Sequence, residues 1–276
     1  MQTAHWTQLD TTPHSLWQQL RALQPSWYYS AIGYFAFALC CLAAQAVDER
    51  LLLGVSVWTK PFKFALSISV YFATLLVFAQ YTPTNFFQTW RGKLLAGIPV
   101  VTALFEMAYI AIQAGLGQHS HFNDSTMFHQ IMYSLMGIGA TSMVVVLVWL
   151  AWVIGRQQTI SQPLILSIVL GLVATCLFGG GFGGYLGAQT SHWVNASATD
   201  ANGILLFNWA RDGGDLRVAH FFGMHAMQAI PLFAWLLPSR LQANTACALV
   251  IAFTCAYCAF TTVTFVQAIQ GLPFLA

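Results

Sequence analysis

Seven mostly apolar stretches follow one another along the chain, at residues 27–46, 62–81, 94–116, 128–154, 163–185, 218–237 and 246–267. Each is close to the ~20 residues that an α-helix needs to cross the hydrocarbon core of a bilayer. Ahead of the first, Leu16, Trp17, Leu20 and Leu23 recur at helical spacing, with Gln18, Gln19 and Arg21 opposite them. Thr12-Pro13 supplies an N-cap and a first-turn proline, so this piece predicts a short amphipathic helix lying on the membrane. The start of the chain lacks basic residues and no apolar run begins before Trp27, which predicts that no leader is removed. The whole pattern predicts an all-α polytopic bundle, a single integral membrane domain over residues 1–276 with seven transmembrane helices.

Composition agrees and narrows the classes. Apolar residues make up 58% and charged residues 7%, against about a quarter charged in soluble domains. The outer surface must therefore face lipid. A net charge of +2 and 14% aromatics exclude a disordered chain and a nucleic-acid partner. All six cysteines fall inside predicted spans, where they read as small packing residues. Lys and Arg divide evenly between the two faces until Lys60 and Lys63 are assigned to the second helix. That assignment predicts a cytoplasmic N-terminus in a cell membrane. With either orientation, the 186–217 connection, the 118–124 loop and the Lys60/Lys63 helix start share one face, here the outer one.

The few ionisable residues inside spans point to chemistry. One at a helix centre costs about 2.5–3.5 kcal/mol and is a functional candidate by default. Glu106 lies in the third span, and Tyr109 and Gln113 continue its helix face outward. The sixth span opens with Asp215, a good N-cap, followed by Arg217, His220, His225 and Gln228. His220 and His225 are too far apart around the helix to clasp one metal, so each needs partners from other helices. At 1.5 Å per residue, Glu106 and His225 both lie roughly 13 Å below the outer boundary. His220, His129 and Gln113 form a shallower layer, with His119 and His121 in the loop above.

These positions predict a polar site of Glu106, His121, His129, His220 and His225 in a cavity open to the outer face. With zinc it would be an open three-ligand site that activates water, giving a membrane-embedded hydrolase of amphiphiles. With haem b between His129 and His220 it would be a redox protein. Lys60, Lys63, Gln113, Asn123, Asp215 and Gln228 are the candidate substrate-binding residues. The two lysines and the free N–H groups of their helix start suit an anion. The same residues also fit a proton-coupled transporter or a small-molecule or anion binder. A third reading is a structural subunit that docks through the 186–217 connection. The Gly179–Gly184 run closing the fifth span reads as close helix packing in preference to an unwound end lining a cavity.

The Trp58-Thr59-Lys60-Pro61-Phe62-Lys63-Phe64 block, Glu106, the Ser120-His121-Phe122-Asn123 loop and the Gly214–Gln228 block resemble, in that order, a family of uncharacterised bacterial multi-pass membrane proteins. The resemblance covers about Trp58 to Gln228; it implies a bacterial inner membrane and carries no activity with it. The acid, the Ser-His pair and the later histidines also bear a faint likeness to the seven-helix alkaline ceramidase-like zinc hydrolases. From their final His-x-x-x-His this chain departs, because His220 and His225 are five apart.

Overall fold

The computed structural model describes residues 13–157 and 161–275, so the proposed N-cap at Thr12 lies outside the described residues. A surface helix, α1 (Pro13–Leu23), leads into α2 (Pro25–Gln45), α3 (Thr59–Ala79), α4 (Trp90–Gly115) and α5 (Met127–Gly155). Then come α6 (Gln162–Ala174), a π-helical turn at Thr175–Gly180 and α7 (Gly181–Gly187), which together make one long rod. The chain ends with α8 (Leu216–Met224), α9 (Ala226–Leu236) and α10 (Ala243–Ile269). Among the described residues six helices are long and apolar enough to cross a membrane: α2, α3, α4, α5, the α6–α7 rod and α10. This is an all-α membrane bundle, and these six agree with six of the predicted spans to within a few residues.

The predicted span at 218–237 is not one helix. α8 and α9 meet at His225, and neither alone has the length of a crossing. The break is stabilised from the neighbouring rod. Met227 N–H donates to Thr175 Oγ1 at 2.8 Å, and the Thr175 hydroxyl donates to Met224 O at 3.4 Å. A hydroxyl from another helix thus meets backbone groups that continuous helix would have paired. Hydropathy runs unbroken through the segment, so periodicity passes over the interruption.

Local chemistry sets the other helix starts. Pro25 occupies the first turn of α2, and Gln24 Oε1 accepts the Ser26 N–H at 3.2 Å. Thr89 caps α4 and Thr126 caps α5, each hydroxyl accepting an N–H from the first turn. The main core is apolar and continuous: Phe72 and Leu75 of α3, Leu95 and Ile110 of α4, Leu147 and Leu150 of α5, Ile168 and Leu172 of α6. Outward faces such as Ile32, Phe35 and Leu39 of α2 stay exposed, as a lipid-facing surface requires. The six cysteines are unpaired.

α9 packs on α6, while α8 packs on the π-helical turn and α7, so the broken pair runs antiparallel to the rod. Glycines permit that approach. A Cβ on Gly223 would lie 2.5 Å from Gly179 N, and one on Gly179 would lie 2.9 Å from Met224 N. The glycine run therefore serves close packing, here of backbone against backbone.

One end of the bundle gathers most of the connecting chain. Two short antiparallel ladders form there: β1 (Leu51–Leu52) with β2 (Val55–Ser56), and β3 (Trp193–Val194) with β4 (Gly214–Asp215). Asp200 N–H donates to Leu53 O at 2.8 Å, Arg50 Nη1 to Gly115 O at 2.9 Å, and Phe274 packs on Trp209. The connections after α2, α4 and α7 thus meet the C-terminal segment at this loop-rich end.

Candidate functional site

The long connection before α8 folds inward over the loop-rich end. Pairing of β3 with β4 sets Asp215, 1% exposed, at the start of α8. Its Oδ1 accepts the Arg217 N–H and its Oδ2 the Ala210 N–H, both at 3.0 Å. The Arg217 guanidinium then forks. Nε donates to Asp215 Oδ1 at 2.9 Å, and Nη2 donates to Asp215 Oδ2 at 2.7 Å, Asp200 Oδ1 at 2.8 Å and Asn208 O at 2.6 Å. His192 Nε2 lies 3.6 Å from the same Asp200 oxygen. Burial works to raise the Asp200 carboxyl, but His192 and Arg217 outweigh it and hold the group below its ordinary value.

The lysines of α3 sit beside this cluster with different partners. Lys63 Nζ donates to two neutral acceptors, Phe207 O at 2.8 Å and Asn208 Oδ1. Lys60 is half-buried, and its ammonium stands 5.9 Å from the centre of the Phe64 ring. Among the described residues no carboxylate lies within ion-pair distance of it: the pairs are Arg50–Asp48, His192–Asp200, Arg217–Asp200 and Arg217–Asp215. Three basic side chains (Lys60, Lys63, Arg217) thus stand near two carboxylates (Asp200, Asp215), both of them bonded to Arg217.

Histidines complete the layer. The His121 ring packs against Phe64 at 5.5 Å and Tyr133 at 5.7 Å, with Nδ1 3.2 Å from Ser120 Oγ. Burial first, then the nearby Lys60 and His220, push its pKa well below the ordinary 6.5. His119 is lowered in the same way, by burial and then by Lys60. His220 Nδ1 lies 2.9 Å from Gly179 O, and a carbonyl can only accept, so Nδ1 carries the proton and Nε2 stays free of it in the neutral ring. A Cβ on Gly183 would lie 2.7 Å from that ring, so the glycine run also makes room for His220.

Lys60 and His121 thus lie close enough to influence one another, with Lys63 tied to the neighbouring 207–208 turn, whereas the proposed metal set is not grouped. Among the described residues no three His, Cys, Asp or Glu side chains are grouped so that they could hold a metal ion. Glu106 sits on α4, which packs against α2, α3 and α5; His225 sits at the α8–α9 break with its ring 4.3 Å from Phe221. Equal depth did not make them neighbours, because their helices belong to different parts of the bundle. His129 lies at the start of α5 beside Phe128, and His220 is pressed into the glycine run. Among the described residues nothing in that geometry supports the zinc assignment, and nothing in these packings pairs His129 with His220 about a haem.

Several candidate binding residues make structural bonds. Asn123 staples its own loop, donating to His119 O at 2.9 Å and accepting from Ser125. Asp215 caps α8 and holds Arg217. Gln228 Nε2 donates to Thr74 Oγ1 at 3.0 Å, tying α9 to α3. Gln113 is buried on the α4 stripe with Tyr109 and Glu106. His192, Asp200 and Asn208 belong to this cluster and were not among the candidates that the sequence pointed to. The signal available was the length of residues 186–217, since connections beyond about 12–15 residues usually carry a function. No protein-family model, curated protein or solved structure matches the chain.

Proposed function

We propose that this multi-pass membrane protein binds an anionic small molecule, bearing a carboxylate or a phosphate, at the loop-rich end of the bundle. Lys60 carries the reading: a half-buried ammonium with no carboxylate in reach, beside two histidines held toward the neutral form. A partly desolvated charge without a partner is costly. An incoming anion supplies that partner, while Lys63, held by two neutral acceptors, adds a second basic group, and Arg217, already paired with Asp200 and Asp215, fixes the surrounding frame. The start of α3 directs its free N–H groups to the same end. In this reading α8 and α9 together make a seventh crossing and the N-terminus is cytoplasmic. The loop-rich end then faces outward. Discontinuous helices of this kind line binding sites in many transporters, which fits uptake or sensing of the anion.

Calorimetric titration of the purified protein in detergent with inorganic phosphate, and separately with succinate, tests this. Saturable binding of one of them is expected, weakened about tenfold or more by Lys60→Gln, the scale of one charge-assisted hydrogen bond. Lys93→Gln, at the start of α4 and so at the other end of the bundle, should leave it unchanged. Equal affinity in Lys60→Gln, or no saturable binding to either anion, would refute the proposal.

A further inference from the structure

A second polar feature lies on α4, apart from the lysines. Glu106 is 7%, Tyr109 5% and Gln113 2% exposed, yet Glu106 Oε1, the Tyr109 hydroxyl oxygen and Gln113 Oε1 each lack a hydrogen-bond partner. Spaced at i, i+3 and i+7, they rise about 10 Å along one side of the helix toward the loop-rich end. Gly139 of α5 leaves room beside the acid, since a Cβ there would lie 3.3 Å from Glu106 Oε1. Toward the other end of the bundle the line stops at a closed pair, Thr102 Oγ1 and Ser142 Oγ at 3.2 Å. At the loop-rich end it reaches the turn where Gln118 N–H donates to Gln113 O at 2.8 Å.

The groups around Glu106 are neutral. α2 presents Tyr34, which is within electrostatic reach of it. α5 presents Gly139, and α3, which also packs on α4, carries no charged side chain past Lys63. No lysine, arginine or histidine of the described residues forms an ion pair with Glu106. Buried polar atoms in native proteins are bonded to protein or to ordered water. Glu106 Oε1 has no protein partner, and the Tyr109 and Gln113 side chains, near enough to interact with each other, make no hydrogen bond of normal geometry; the three therefore mark a place for water.

We propose that α4 holds a file of ordered water molecules along Glu106, Tyr109 and Gln113, through which the Glu106 carboxylic acid exchanges its proton with the aqueous phase at the loop-rich end. Glu106 gives its proton to the adjacent water as that water passes one of its own to the next oxygen. The carboxylate left behind is restored by the reverse transfer, so no other reactant is needed. The Thr102–Ser142 pair closes the far side and makes the exchange one-sided. The file involves neither Lys60 nor an anion, so it stands or falls separately from the anion-binding site.

Infrared difference spectroscopy of the full chain in lipid vesicles, compared in H2O and D2O, tests this. The expected result is a protonated-carboxyl stretching band that is missing in Glu106→Gln and shifts on transfer to D2O while the protein stays folded. Gln113→Leu and Tyr109→Phe should slow that shift about tenfold or more, the scale of losing one partner in a buried hydrogen-bonded file. Tyr109→Phe removes only a hydroxyl and carries the test if Gln113→Leu does not fold. The proposal is overturned if no band is lost in Glu106→Gln, if the band shifts only on unfolding, or if Tyr109→Phe exchanges as fast as wild type.

Discussion

Replacing Arg217 by methionine should be among the most damaging single changes at the loop-rich end. The side chains of Asp215, Asp200 and Arg217 are 0%, 12% and 24% exposed, and the guanidinium also holds Asn208 O, whose side chain in turn holds Lys63. Methionine keeps much of the packed aliphatic stem and deletes the charge. Asp215 would retain two N–H donors, from Ala210 and residue 217, and Asp200 would retain His192. Removing one partner of a buried ion pair costs about 3–5 kcal/mol. Because Arg217 is partly hydrated, about 2–4 kcal/mol is expected, against a typical total stability of about 5–15 kcal/mol. Denaturant unfolding in detergent micelles, followed by tryptophan fluorescence, measures it. The double variant Arg217→Met/Asp200→Asn should cost about 1–3 kcal/mol less than the sum of the two singles, since it removes one stranded carboxylate. A cost below about 1 kcal/mol for Arg217→Met, or strict additivity with Asp200→Asn, would refute the view that this fork neutralises buried charge.

Three further outcomes follow from the same geometry. His119, His121 and His192 all have folded-state pKa values below 6.5, chiefly through burial, so the unfolded chain takes up their protons first as pH falls. Their contribution is complete above 6.5 and is lost as pH drops toward the folded values; unfolding midpoints that stay flat or rise on acidification contradict this. Gly223→Ala sets a methyl against the backbone of Gly179 and should cost about 1–3 kcal/mol. Gly33→Ala, with open space around it, should be neutral or stabilising in the same thermal unfolding assay; equal effects of the two would contradict the packing account. Thr175→Val strands the Met227 N–H at the α8–α9 break, and its cost should be about 1–3 kcal/mol in the same assay; a neutral result removes Thr175 from the account of that break.

Much of the fold was legible because a spanning helix needs a long apolar run and turns need few charges. The hydropathy pattern began these spans at 27, 94 and 128, a few residues inside the starts that Pro25, Thr89 and Thr126 set for α2, α4 and α5. The interruption at His225 was not legible, because it depends on Thr175 from a helix some fifty residues away in sequence. Counting helical rise placed Glu106 and His225 at a common depth, but depth says nothing about which helices touch. The stripe from Glu106 to Gln113 was readable for the opposite reason: helical spacing alone puts its members on one side of α4. Asp200, His192 and Asn208 acquire a role only when the 188–214 segment folds back onto Leu53 and Arg217. Nothing local in their sequence distinguishes them from ordinary loop residues.

The central claim concerns what meets the Lys60 ammonium. A high-resolution structure of the purified protein, after soaking in phosphate or succinate, would examine that atom directly. The account predicts non-protein density within hydrogen-bond distance of Lys60 Nζ, next to His121, with Arg217 still forked between Asp200 and Asp215. Lys60 Nζ bonded to a carboxylate or carbonyl of the protein itself, with no density beside it, would contradict the account.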